Sequence, residues 1–145
     1  MITQGYRFIE ERIREYFKIL GTLDAQNRRD IDAMVALLHD NVRWEFPYVE
    51  KPLTLNGKES LRAFWEKTQG ISTEVRYDIV DLIVDETKQT GAIQVKATRK
   101  FVKTQMRYDN LYVYFFRFEN GKFIHVAEYA NPILAAPMNK AIGID

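Results

Sequence analysis

The stretch Tyr108-Asp-Asn-Leu-Tyr-Val-Tyr-Phe-Phe-Arg-Phe-Glu-Asn-Gly-Lys-Phe-Ile-His-Val-Ala-Glu-Tyr-Ala-Asn131 decides the fold, because it reads as two strands joined by one turn. Apolar and aromatic residues recur at every second place on both sides of Glu119-Asn-Gly121, the pattern of a β-hairpin. Two registers are open. A three-residue loop with Gly121 left-handed sets Phe118 opposite Lys122, and Tyr112, Tyr114 and Phe116 then share a face with Ile124, Val126 and Glu128. A two-residue loop aligns Val113 and Phe115 with Glu128 instead. The placing of Asn-Gly favours the three-residue form. Alternation gives Glu128 the face-mates Ile124, Val126 and Ala130. A carboxylate among aliphatic neighbours loses hydration and holds its proton more tightly. Such a group suits general acid or base chemistry. The plainer alternative is that Glu128 lies near the strand end and meets water or a basic partner.

Working back from the hairpin, the period of two extends to Thr73. Strands are expected over Thr73–Asp85, Gly91–Lys103, Tyr108–Glu119 and Lys122–Asn131. Before Thr73 the pattern is mostly helical. Tyr6, Ile9, Ile13, Tyr16, Phe17, Leu20 and Leu23 recur at intervals of three and four, with Glu10 and Arg14 paired on the wet side. Asn27-Arg-Arg-Asp30 interrupts, and Asp30 caps a second helix carrying Ile31, Met34, Val35, Leu37 and Leu38, ended by Asp40-Asn41. A short strand Val42–Phe46 is closed by Pro47, and Leu53–Gly57 forms a short extended piece and turn. A third helix spans Lys58–Gln69 with Leu61, Phe64 and Trp65 as its apolar stripe. Helices first and antiparallel strands second indicate an α+β domain, a curved sheet wrapping the helices with a pocket between them.

At 145 residues the chain is one domain, 1–145, with a single core. Its 46% hydrophobic and 28% charged residues argue against disorder. The 21 basic and 20 acidic residues are dispersed, so composition offers nucleic acid no basic patch. The absence of Cys excludes disulfides and a thiolate nucleophile, and fits a cytoplasmic protein. No apolar run approaches the roughly 20 residues that cross a bilayer, and the N-terminus is too charged for a signal peptide. With only His39 and His125, no bound metal is expected. The eight Tyr, nine Phe and two Trp are either core or the lining of a cavity.

Three motifs in this order resemble the nuclear-transport-factor-2-like superfamily of cone-shaped α+β domains, the cystatin-like roll. They are Arg29-Asp-Ile-Asp-Ala-Met-Val-Ala-Leu-Leu-His-Asp-Asn-Val-Arg-Trp-Glu-Phe-Pro47, Asn56-Gly-Lys-Glu-Ser-Leu-Arg-Ala-Phe64, and Phe116-Arg-Phe-Glu-Asn-Gly-Lys-Phe-Ile124 leading into Glu128-Tyr-Ala-Asn-Pro132. The superfamily includes SnoaL-like cyclases, ketosteroid isomerases and phenazine-biosynthesis A/B-type proteins. The last ending is most similar to the phenazine group, where the corresponding glutamate points into the pocket and is implicated in acid–base chemistry. Ketosteroid isomerases carry an aspartate base directly before a proline on the first strand. Here Phe46 precedes Pro47, so steroid isomerisation is not implied. Tyr16 corresponds to their helix-1 tyrosine, and Tyr114 stands where their protonated aspartic acid would be.

The resemblance implies a cofactor-independent isomerase, cyclase or dehydratase acting on a hydrophobic cyclic molecule. Glu128, Tyr114 and Tyr16 are its expected catalytic groups. The expected pocket walls are Trp44, Phe46, Tyr48, Phe64, Trp65, Tyr77, Arg99, Tyr112, Phe116 and Val126, with Trp65 and Tyr48 the more exposed. Arg99 falls in phase with Ile93, Val95 and Ala97, where it pairs with Glu128, holds a ligand carboxylate, or snorkels to solvent. Pairing with Glu128 would lower that group's pKa. His39 is expected at a helix end, and His125 on the outer sheet face with Val113 and Tyr129, where family members dimerise. The competing expectation is a non-catalytic ligand carrier or dimeric scaffold.

Overall fold

The computed structural model describes residues 2–142. Its elements run α1 (Gln4–Leu20), α2 (Ile31–Val35), β1 (Leu38–Phe46), β2 (Leu53–Asn56), α3 (Lys58–Lys67), β3 (Ser72–Asp85), β4 (Thr90–Phe101), β5 (Arg107–Glu119), β6 (Lys122–Ala130) and α4 (Pro132–Ile142). The fold is α+β, a six-stranded curved sheet with helices packed on its inner face. The strand order is β2-β1-β6-β5-β4-β3, so β2 and β3 form the edges. Neighbours run antiparallel except β1 and β6, which are parallel.

Helix α1 begins where the Thr3 hydroxyl accepts the Tyr6 amide at 3.1 Å. It buries Ile9, Ile13, Tyr16, Phe17 and Leu20 against β3 and β4. Close docking depends on Gly91 of β4. A Cβ at that position would lie 2.5 Å from Ile13 Cδ1 and 3.5 Å from Ile9 Cγ2. Asp30 caps α2 as expected, accepting from the Ala33 amide at 3.0 Å.

Three sequence expectations need correcting. The second helix stops at Val35, and Leu37 and Leu38 belong to the core beside the sheet rather than to a longer helix. Strand β1 therefore starts at Leu38, and His39 and Asp40 are strand residues; Leu38 pairs with Phe123 across the parallel ladder. Pairing with β6 overrides the local helical pattern. The hairpin turn, secondly, has two loop residues. Glu119 faces Lys122, and Asn120 (φ 50°) and Gly121 (φ 74°) take the two left-handed positions of a type I′ turn. A β-bulge at Ile124 then adds one residue, so Phe118 faces Phe123 but Arg117 faces His125. The bulge restores the shared face anticipated for the longer loop, with Tyr114 opposite Glu128, Tyr112 opposite Ala130 and Phe116 opposite Val126. Phe123, not Ile124, is the inward neighbour. Thirdly, Asn131 is not strand. Its Oδ1 accepts the Ile133 amide at 3.0 Å and caps α4, with Pro132 at the first helical position.

The outer sheet face keeps Leu111, Val113 and Tyr129 exposed. His125 lies on it, 2.5 Å from Glu45 Oε2 and 3.3 Å from an Arg43 guanidinium nitrogen. His39 pairs with Glu119 at 2.9 Å. No described helix is long and apolar enough to cross a membrane.

Candidate active site

The inner face of the sheet, α1, the α3 end and α4 enclose a cavity of about 90 Å³. Strand alternation delivers its wall: Tyr112 and Tyr114 from β5, Glu128 from β6, Phe46 from β1, Tyr77 from β3 and Arg99 from β4. From the helical side come Tyr16, Leu20, Phe64 and Trp65, and from α4 come Met138 and Asn139. Tyr48, after β1, completes the mouth.

Glu128 is 8% exposed. Its Oε1 accepts the Trp44 indole N–H at 2.8 Å, and its Oε2 lies 3.4 Å from the Tyr114 hydroxyl. Burial raises its pKa from 4.5 to about 7, against the opposing pull of the Trp44 and Tyr114 hydrogen bonds and the more distant Arg99 charge. Near neutral pH it therefore populates both acid and carboxylate. Tyr16 and Tyr114 are pushed well above the ordinary phenol range, chiefly by burial and next by the Glu128 charge. Both remain neutral donors. Tyr112 shares the first cause, and its hydroxyl meets that of Tyr108 at 2.7 Å, which in turn accepts from Asn110 at 3.0 Å.

Tyr16 sits at the centre of the aromatic cluster. Its ring centroid is 5.4 Å from Trp44, 6.3 Å from Trp65 and 6.3 Å from Tyr114. Phe46 and Phe64 pack edge-on at 5.2 Å.

Of the residues expected at the site, Glu128, Tyr114, Tyr16, Phe46, Tyr48, Phe64, Trp65, Tyr77, Arg99 and Tyr112 line the cavity together. Trp44 stands behind the wall, against Tyr16, Trp65 and Glu128. Phe116 and Val126 are wholly buried behind it in the core. Trp65, expected to be exposed, is 4% exposed because Trp44 and Tyr16 pack against it. Arg99 is half-buried and does not pair with Glu128: one Nη donates to the Tyr77 hydroxyl, and its guanidinium lies 5.7 Å from the Tyr77 ring centroid.

Sequence reasoning missed Arg29, Ser72 and Asn139. Arg29 donates to the Trp65 carbonyl at 3.1 Å and to Thr68, and its backbone amide meets Gln69 Oε1 at 3.0 Å, fastening α2 to the α3 end. Burial lowers its pKa. Its signal was position: it directly precedes the Asp30 cap, which aims it inward. Asn139 was recoverable from Asn131-Pro132, a helix start that places Met138 and Asn139 about two turns on.

A second, wider groove of about 1040 Å³ lies on the far side of α4, between Ile133, Leu134 and Pro137 and the Phe101–Met106 turn. The groups with perturbed proton affinity that surround Glu128 do not reach it. Among the described residues no three His, Cys, Asp or Glu cluster as metal ligands would.

The sequence profile of the SnoaL-like domain matches residues 19–126. The chain belongs to the SnoaL-like family. The fold of this SnoaL-like chain is that of a putative isomerase from Bacillus subtilis, at a TM-score of 0.80 and 15% identity over 99% of this chain and 98% of that one. A phenazine biosynthesis-related protein from Pseudomonas aeruginosa superposes at 0.73, with 14% identity over 98% and 89%. A protein with a ketosteroid isomerase-like fold from Catenulispora acidiphila superposes at 0.65, with 11% identity over 82% and 84%. At these identities the likenesses are ones of fold. No curated protein matches the chain in sequence.

Proposed function

We propose that this SnoaL-like protein is a small-molecule enzyme in which Glu128 moves a proton on a hydrophobic ring compound, without a cofactor. The observation that carries the reading is Glu128 itself: a buried carboxyl with pKa raised to about 7, on the wall of a cavity and beside a phenol. As carboxylate it takes a proton from a carbon acid; as acid it returns one to a neighbouring carbon or a leaving oxygen. The Tyr114 or Tyr16 hydroxyl donates to the substrate oxygen on which negative charge develops. Isomerisation, cyclisation and dehydration share that requirement. At about 90 Å³ the cavity is smaller than an engineered ~150 Å³ cavity that admits benzene, so a ring compound would enter it only in part, with the rest of the molecule outside.

The test is Glu128→Gln with any substrate found by screening. Turnover should be lost with the fold kept, and the wild-type rate should depend on a group titrating near pH 7. Undiminished turnover in the variant would refute the assignment.

A specific observation favours a second reading, a ligand carrier: both Glu128 oxygens already have protein partners, Trp44 and Tyr114. Under it, ligands bind and leave Glu128→Gln unaltered, and no conversion is detected by mass spectrometry. A homodimer through the outer face belongs with either reading, supported by exposed Leu111, Val113 and Tyr129. Light scattering on the purified protein checks it.

A further inference from the structure

Helix α4 carries two apolar stripes where a surface helix needs one. Of its residues Pro132-Ile-Leu-Ala-Ala-Pro-Met-Asn-Lys-Ala-Ile142, only Asn139 and Lys140 are polar. Ala135, Met138 and Asn139 are buried, and the last two stand on the cavity wall. Ile133, Leu134, Pro137 and Ala141 form a second stripe on another side of the helix, at intervals of three and four. Ile133 is 82% exposed and Leu134 50%. A helix that is apolar on more than one side calls for a cover on each.

This second stripe is one wall of the groove of about 1040 Å³. The opposite wall is the β4–β5 connection, where Val102 and Met106 stand exposed beside the buried Phe101 and Tyr108. The groove is also charged. Its lining holds three cations, Lys103, Arg107 and Lys140, against the single carboxylate of Asp109. Asp109 is paired with Arg107 at 3.3 Å, and among the described residues Lys103 and Lys140 form no ion pair. The whole chain carries only +1, so this excess of cations is local. Apolar walls with unpaired lysines complement an amphiphile with a negative head.

Size and shape select the kind of amphiphile. A stable protein interface uses about 20–30 residues a side, and 16 line this groove. Its volume lies instead at the upper end of small-molecule sites, roughly 300–1,000 Å³. A flat bilayer surface does not follow a concave floor between a helix and a turn. From Ile133 to Ala141 the helical wall runs about 12 Å, which suits a linear chain.

We propose that the groove binds a free single-chain fatty carboxylate, its chain lying between Leu134 and Pro137 on one side and Met106 on the other, its head met by Lys103 and Lys140. The groove and the Glu128 cavity share no lining residue, so this site is independent of the proton transfer proposed above.

The experiment is calorimetric titration of the full chain with decanoate and with decyltrimethylammonium, which has the same chain and the opposite head, both below their micelle concentrations. Decanoate should bind at least about tenfold more tightly, the equivalent of one charge-assisted hydrogen bond. Dodecanoate should bind up to about tenfold more tightly again, because two further methylenes are buried. Lys103→Gln combined with Lys140→Gln should abolish the preference for the anion. Leu134→Ser and Met106→Ser, at exposed positions where the fold is kept, should each weaken decanoate binding. Arg99→Gln, in the separate cavity, should leave it unchanged. Equal affinity for the two heads, no decanoate binding by wild type, indifference to both Leu134→Ser and Met106→Ser, or binding lost in Arg99→Gln would each overturn the proposal. So would cosedimentation with phosphatidylglycerol vesicles, or a dimer broken by Leu134→Ser, found without decanoate binding.

Discussion

Replacing the buried acid by its neutral isostere should make the protein more stable, by a margin that grows through a defined pH window and persists above it. Glu128 has a pKa of about 7 in the fold and 4.5 when unfolded. Between those values the native state holds more protons than the unfolded one, so stability falls as pH rises from about 4.5 and levels off above about 7. The shift corresponds to about 3 kcal/mol. The amide introduced by Glu128→Gln does not titrate, keeps an oxygen for the Trp44 N–H and offers an NH₂ toward Tyr114. The stability of Glu128→Gln minus that of wild type should therefore grow by about 3 kcal/mol between about pH 4.5 and about pH 8. For a chain of this size that is on the order of 10 °C in melting midpoint. The groups facing Glu128 are Tyr16 from α1, Trp44 from β1, Arg99 from β4 and Tyr114 from β5. None of them titrates in this range. His39 and His125 lie outside the cavity and cancel in the difference. Urea unfolding at closely spaced pH values reads it directly. A difference that stays flat would mean that Glu128 is solvated like an ordinary surface acid. A difference that shrinks with pH would mean that Arg99 holds it ionised.

Trp44→Phe removes the indole donor to the Glu128 carboxylate at nearly constant packing, so the Glu128 pKa should rise by about a further unit, seen as an upward shift of the same stability transition. Gly91→Ala should cost about 1–3 kcal/mol because its Cβ meets Ile13 Cδ1, and Ile13→Val in the same chain should recover part of that loss in a double-mutant cycle. Asn131→Ala removes the cap of α4 and should cost about 1 kcal/mol, with hydrogen exchange accelerating selectively in the amides of α4.

The α+β order and the inward Glu128 were legible because period-two and period-3.6 patterns are strong over long segments. What failed was local. Leu37 and Leu38 fit a helical stripe, but the parallel ladder to β6 claims the chain from Leu38 onward, an interaction with the far end of the sequence that no window contains. The hairpin facing was anticipated through the wrong loop, because a bulge carries no periodic signature beyond a one-residue phase slip. At the site, aromatic identity marked the walls well. Phe116 and Val126 share a face with them but lie too deep, since facing inward and reaching an opening are different conditions. Arg29, Ser72 and Asn139 went unnoticed because each is ordinary in its own segment and becomes notable only by where folding puts it, on the cavity wall, with Ser72 Oγ and Asn139 Oδ1 buried there without a partner.

The Ile124 bulge also separates two things a hairpin normally ties together, the length of its turn and the side on which each later residue emerges. Ile124 stands outside the ladder, between the Phe118–Phe123 and Arg117–His125 pairs. Excising it would leave both pairs in place, and Glu128 would still meet Tyr114 across a regular hairpin with the same tight turn. What Ile124 contributes is bend and twist, the wrap of this ribbon around the helices, rather than the direction of the acid. The danger lies in the opposite event. If Ile124 were drawn into the ladder with the turn unchanged, every residue after it would slip by one and Glu128 would point outward. The spare residue is thus a built-in margin: the strand tolerates losing it, and the acid keeps its place only while it stays unpaired.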